Sequence, residues 1–223
     1  MKKQNNKKVQ KKMKTSTQES TPLTSSSSPR TPLLPPHPNP PLNEGETETI
    51  ILLSLTLNEI ILKNARKRKT KVKKDIFYTK NIPTLSIMEY LHRIVKYTRI
   101  EMSVLKASVI CITFYINHNK NYISLNNIHR LLLASVFVNA KYHQDINFSI
   151  KFYAKVGGVS IEELKQLEIE FFSGLNFQLK IEENIFAKYE AFFNEKKNKI
   201  KFPFIRDRNS NVSKQENEFF INC

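Results

Sequence analysis

The side chains of this 223-residue chain that could carry out covalent chemistry are few and scattered. His92, His118, His129 and His143 have no nucleophile at a productive spacing and form no metal-ligand pattern. With four glycines in all, the chain also has no glycine-rich loop to cradle a phosphate. His129 and His143 flank the most apolar run of the sequence and are expected to cap its helix or to lie at the surface. Cys111 sits inside an apolar run and Cys223 ends the sequence. Two thiols so placed build neither a disulfide framework nor a zinc site, which suits a reducing compartment. These residues argue against an enzyme, and no cofactor, metal or small-molecule substrate is expected.

The remaining chemistry is that of charge. The formal net charge is +16, unevenly spread. Residues 1–80 carry 17 basic and 6 acidic side chains, whereas residues 81–193 carry 12 and 10. A nucleic-acid-binding domain keeps its positive charge on its own folded face, so this partition makes nucleic acid an unfavoured partner. The densest basic run spans residues 63–74 and contains Arg66, Lys67, Arg68, Lys69, Lys71, Lys73 and Lys74. It can be read as a nuclear import signal, a nucleic-acid contact, a docking strip for an acidic partner, or a solvated linker. No run reaches 18 consecutive apolar residues, and the Lys-rich start leads into Ser, Thr and Pro, not an apolar signal core. The expectation is an intracellular protein of nucleus or cytoplasm with no membrane partner.

Helices must position these groups. Residues 1–48 are Lys-rich and then Ser/Thr/Pro-rich, with too little apolar area to offset chain entropy, and are expected to be disordered. Thr21, Ser28 and Thr31 each precede a proline and could accept proline-directed phosphorylation or simply lie in a solvated tail. Residues 49–80 comprise an amphipathic helix, TIILLSLTLNEIILK (Thr49 to Lys63), and the basic linker. Residues 81–193 hold the bundle and the helix that follows it, and 194–223 form a polar tail.

Within the bundle, Ser86 and Glu89 form a capping box before SIMEYLHRIVKYT, which places Ile87, Tyr90, Leu91, Ile94 and Val95 on one face. Residues 101–118 follow, with Leu105, Val109, Ile112 and Ile116 inward and Ala107 and Ser108 small enough for close approach. The stretch from Leu125 to Lys141, LNNIHRLLLASVFVNAK, contains an unbroken apolar or small run, Leu131 to Val138, that suits a helix buried on nearly all sides. A shorter amphipathic stretch stops at Gly157 and Gly158, where one residue can take the left-handed conformation that closes a helix. Ser160 and Glu163 form a second capping box, and Leu164, Leu167, Phe171 and Leu175 point inward. A last helix, Glu182 to Glu195, presents Ile185, Phe186, Tyr189 and Phe192.

The blocks SIMEYLHRIVKYT, FYINH, SLNNIHRLLLASVFVNAKYHQD and FYAKVGGVSIEELKQLEIEFFSGLNFQL, in this order, resemble the cyclin box of P/U-type cyclins, the class related to phosphate-response cyclins. The resemblance covers about residues 50–193. It implies an all-α fold with a single cyclin box, five helices around a buried third, and flanking helices at both ends. It also implies a non-catalytic subunit that binds and activates a cyclin-dependent protein kinase in cell-cycle or phosphate signalling. In the family, a Lys ending the third box helix and a Glu in the fifth centre the kinase-binding surface, and these fall on Lys141 and Glu168. The family's Tyr-Ile-Asp-Arg, whose Asp joins a buried pair, is replaced by Tyr115-Ile116-Asn117-His118, so pairing with Arg93 is expected to be weakened. Of the two acids often found after that Lys, only Asp145 remains, preceded by Gln144.

The competing reading is a cyclin-fold transcription-complex or nucleic-acid-binding adaptor. Such factors carry tandem repeats, and the 44 residues after Leu179 are too few for a second five-helix unit.

Overall fold

The computed structural model describes residues 40–66, 74–145 and 148–200. The chain divides after Thr31, and every described residue belongs to the second unit, Pro32–Cys223. Seven helices and no strands occur among the described residues. They are α1 (Glu44–Arg66), α2 (Ile87–Thr98), α3 (Met102–His118), α4 (Ile128–His143), α5 (Ile150–Gly157), α6 (Ile161–Gly174) and α7 (Glu183–Lys199).

The centre is α4. Every residue from Leu131 to Ala140 is buried, and α4 packs against α2, α3, α5 and α6. Such a helix gains its stability from covering neighbours more than from its own propensity. The faces anticipated for α2, α3 and α6 are the buried ones: Ile87, Tyr90, Leu91, Ile94 and Val95; Leu105, Val109, Ile112 and Ile116; Leu164, Leu167 and Phe171. Ala107 and Ser108 are buried too, and Ser135 of α4 donates its hydroxyl to the Ser108 carbonyl at 2.7 Å. Small residues thus let α3 and α4 approach closely enough for a side-chain to backbone bond.

Helix ends follow local chemistry. Ser86 and Glu89 form the reciprocal capping box at α2. At α6, Ser160 accepts the Glu163 amide at 3.0 Å, but the second half of the expected box is absent. The Glu163 carboxylate pairs instead with Arg130 of α4 at 2.5 Å, because a guanidinium is a stronger partner than a backbone amide. Gly158 closes α5 at φ 73°. A Cβ on Gly157 would lie 2.2 Å from a Leu133 methyl, so any other residue there would have to displace the buried Leu133 side chain of α4.

Two boundaries differ from expectation. α1 begins at Glu44, within the stretch expected to be disordered, because Asn43 and Glu46 cap each other reciprocally at 2.8 Å in both directions. The rest of the expected tail, residues 1–39 with Thr21, Ser28 and Thr31, lies outside the described residues. α7 extends to Lys199, past the expected tail boundary, and residues 201–223 lie outside the described residues. Of its aromatic face only Phe193 is buried, while Phe192 is 41% exposed. α7 packs from outside on α1, and ion pairs at its margins, Lys106–Glu190 at 2.9 Å and Lys197–Glu48 at 2.5 Å, replace much of the anticipated apolar contact.

The second half of the expected linker is also pinned down. Phe77 is wholly buried, edge-on to Tyr115 and Phe171. Asn121 holds the Asp75 carboxylate at 2.7 Å, and Thr79 and Asn126 exchange hydrogen bonds at 2.7 and 2.9 Å.

Candidate functional site

α4 leaves the core abruptly. Ala140 is fully buried, whereas Lys141, Tyr142 and His143 in the last turn are exposed. A cation there is favoured by the partial negative charge at the helix C-terminus. On α6, the buried row Leu164, Leu167 and Phe171 turns Glu168 to the margin beside α4 and leaves Ile169 outside.

The two helices bring Lys141 and Glu168 together. Lys141 Nζ donates to Glu168 Oε1, and the same ammonium lies 5.1 Å from the Phe137 ring centroid. The Lys141 side chain is 51% exposed and that of Glu168 22%, so this bridge adds only about 0–1 kcal/mol to folding. Folding leaves apolar groups uncovered next to both residues in the sequence and just past the end of α6. Ile169 next to Glu168, Phe177 and Tyr142 next to Lys141 are 68%, 66% and 55% exposed. Phe172, one turn beyond Glu168, meets the Phe177 ring edge-on at 5.1 Å. Exposed apolar side chains with a low-value charged pair are the composition of a protein-binding surface.

The remaining anticipated residues are more dispersed. Arg93 Nη2 donates to the Lys155 carbonyl at 3.3 Å and Asn117 is exposed at the end of α3, so the pairing expected to be weakened gives way to a different partner for Arg93. A neutral amide exerts too little attraction to draw the guanidinium into the core. Arg66 is exposed at the last position of α1, Lys74 is exposed with its ammonium 5.8 Å from the Tyr78 ring centroid, and Lys67, Arg68, Lys69, Lys71 and Lys73 lie outside the described residues.

His143 is exposed as anticipated, but His129 is not. It is buried, its Nε2 is 2.9 Å from the Leu85 carbonyl and its ring meets Tyr90 edge-on at 5.0 Å. Burial lowers its pKa and so favours the neutral ring, and the hydrogen bond to the Leu85 carbonyl partly opposes that shift.

Among the described residues, no group of three His, Cys, Asp or Glu side chains could hold a metal ion. Burial pushes the Cys111 thiol up to about 11, so it does not ionise into a nucleophile. No helix is long and apolar enough to cross a membrane, among the described residues.

Sequence reasoning missed Arg130. Besides pairing with Glu163, its guanidinium donates to the Ile76 carbonyl at 3.0 Å, clamping the Phe77 segment onto α4 and α6. A charged residue directly before the Leu131 run was the available signal, since a cation at the edge of a buried helix needs partners.

The family model described as Cyclin matches residues 3–179. The chain belongs to the cyclin family. This cyclin is 34% identical over 156 residues to Cyclin-U2-2 of Arabidopsis thaliana, which covers 66% of the chain and 68% of that protein. It is 34% identical over 150 residues to Cyclin-P3-1 of Oryza sativa, covering 66% and 64%. It is 29% identical over 171 residues to PHO85 cyclin-7 of Saccharomyces cerevisiae, covering 64% and 58%. The cyclin thus spans roughly three fifths to two thirds of these relatives' length and is of the P/U type. Cyclins are regulatory subunits, not catalytic ones, and act on cyclin-dependent kinases. α2 to α6 are the five helices of the box, α4 is its buried third, and α1 and α7 flank it.

Proposed function

We propose that this cyclin binds and activates a cyclin-dependent protein kinase through the α4–α6 surface, with Lys141 and Glu168 as its polar centre. The observation that carries this reading is the bridge between these two side chains, together with the uncovered Tyr142, Ile169 and Phe177. The apolar rim supplies burial. The ion pair holds its two charges in register, where each can exchange part of its bond for a kinase group.

Activation is then a shift in population. A lone kinase whose regulatory helix is turned outward does not assemble the Lys–Glu pair that holds the ATP phosphates. A subunit that binds only the inward arrangement converts a 1:99 mixture to 99:1 if it prefers that state by about 5.5 kcal/mol. An interface burying on the order of 1,600 Å² can provide such a preference. The cyclin itself supplies no catalytic group, cofactor or substrate pocket in this mechanism. The near balance of charge in residues 81–193, 12 basic against 10 acidic, favours a protein partner over nucleic acid.

Affinity capture of the tagged cyclin from its own cells, with a kinase assay of the eluate, tests this reading. Lys141→Ala is expected to weaken kinase binding by about 2–5 kcal/mol, because it leaves Glu168 unpaired in a desolvated interface. Normal activation by this variant would remove Lys141 from the mechanism.

A further inference from the structure

The C-terminal end of α1, residues 74–82 and the connection between α3 and α4 are tied together at one end of the bundle. Asn64 donates to the Ile123 carbonyl at 3.0 Å, Asn121 donates to Asp75 at 2.7 Å, and Thr79 and Asn126 exchange hydrogen bonds at 2.7 and 2.9 Å. Within three residues of these bonds stand the exposed cations Arg66, Lys74 and Lys120 and the apolar side chains of Leu62, Ile82 and Leu125, which are 54%, 50% and 42% exposed. Consecutive Cα atoms are about 3.8 Å apart, so all six share this end. None of the three cations is in an ion pair with another described residue.

Two of the cations have a local reason to be there. Arg66 is the last residue of α1 and Lys120 follows the end of α3, and helix C-termini favour positive charge. Lys74 belongs to neither terminus, and the helix dipoles leave the three exposed apolar side chains unexplained. Residues 62–74 hold eight basic side chains and no acid, so this part of the chain has charge of one sign.

A ligand for this face must bring negative charge and apolar contact together. A phosphate backbone has no counterpart for exposed Leu and Ile, and base readout needs a groove-filling element that this junction of three segments does not provide. An anionic bilayer calls for a continuous apolar stripe along one helix, whereas Leu62, Ile82 and Leu125 come from three separate segments. An acidic polypeptide with interspersed apolar residues meets both requirements, since charge complementarity fixes its register and the apolar groups supply burial.

We propose that this end face docks an acidic segment of a protein partner, with carboxylates on Arg66, Lys74 and Lys120 and Leu or Phe side chains on Leu62, Ile82 and Leu125. α4 starts at this end and reaches Lys141 about 20 Å further on, at 1.5 Å per residue from Ile128. The face therefore shares no residue with the α4–α6 surface, and the inference goes beyond kinase binding.

The probe is a labelled peptide library in which Asp or Glu alternates with Leu or Phe, titrated into the full chain by fluorescence anisotropy. One control library has Asn or Gln in place of the acids, and the other has Ser in place of the apolar residues. The probe library is expected to bind at least about tenfold tighter than either control. Lys74→Gln combined with Lys120→Gln is expected to weaken it about fivefold or more, and Leu125→Asn about threefold. All three residues are exposed, and an unchanged circular-dichroism melt checks that each variant keeps its fold. Kinase capture by these variants is expected to stay at the wild-type level. Equal binding of the probe and Ser libraries, or full affinity in the Lys74→Gln, Lys120→Gln variant, overturns the proposal. Stronger competition by a DNA duplex or by phosphatidylserine vesicles than by the unlabelled probe, or a parallel loss of kinase capture, overturns it as well.

Discussion

α4 uses polar side chains in two places, the seam against α3 and the last turn against α6, and treats them oppositely. In the seam, Ser108, Ser135 and Asn139 are buried and neutral. Ser135 donates to the Ser108 carbonyl, Asn139 Nδ2 donates to the Ser135 carbonyl at 2.9 Å, and the Cys111 thiol lies 3.6 Å from Asn139 Oδ1. At the last turn the groups are charged and partly hydrated, and their sequence neighbours Tyr142 and Ile169 are exposed apolar side chains. Removing a seam partner leaves a desolvated polar atom that water cannot reach, which costs stability. Removing a rim partner leaves a group that water satisfies, so its value lies in what it binds. One helix thus separates holding the fold from presenting a surface, and the boundary is the step from Ala140 to Lys141.

The largest contrast comes from combining a core truncation with the rim variant. Leu132→Ala, at a wholly buried position, is expected to lower the unfolding free energy by about 2–5 kcal/mol in urea titration, with kinase affinity per folded molecule unchanged. Lys141→Ala should move stability by no more than about 1 kcal/mol while weakening kinase binding. Equal stability losses for both would erase the distinction. Asn139→Ala tests the seam itself and is expected to cost about 1–3 kcal/mol in the same titration, since it removes the amide that donates to the Ser135 carbonyl and that accepts from the Cys111 thiol. A neutral outcome would show that water enters the seam.

A smaller, pH-dependent effect belongs to His129. Its folded pKa lies below the ordinary 6.5, chiefly through burial. The unfolded chain therefore binds more protons, and stability is complete above pH 6.5 and falls as the pH drops from there toward the folded pKa. Thermal melts between pH 7.5 and 5.5 should show this slope, and His129→Gln should flatten it. The smallest effect lies at the α1–α7 flank. Hydrogen bonds from Lys196 and Lys63 lower the Glu59 pKa to about 2. The stability this adds is present above the ordinary 4.5 and is lost as pH falls from there toward 2. Because the carboxylate is 44% exposed, solvent screening reduces the change to about a few tenths of a kcal/mol, visible as an earlier acid melt that Glu59→Gln abolishes.

Much of the box was legible in the residues because its signals are local. The Ser86–Glu89 box, the glycine stop at Gly158 and the three-four spacing of Ile87, Tyr90, Leu91, Ile94 and Val95 each act within one or two turns. Lys141 and Glu168 could be nominated only through the ordered family blocks, since nothing about a Lys or a Glu at a helix margin sets it apart. Phe77 and Arg130 were passed over because their partners, Tyr115 and Phe171 for one and Glu163 and the Ile76 carbonyl for the other, come from distant segments. His129 was misjudged for the same reason. A histidine beside a buried run looks like a surface cap until the Leu85 carbonyl and the Tyr90 ring close over it.

By itself, then, the amino-acid order determined the all-α class, the central helix and most helix boundaries, because periodicity, caps and breakers act along the chain. Tertiary structure alone decided that Lys141 meets Glu168 and that Arg93 turns to Lys155 and not to Asn117. Those pairings depend on which helix faces cross in space, and burial and charge compensation at a crossing are set by residues far apart in the sequence.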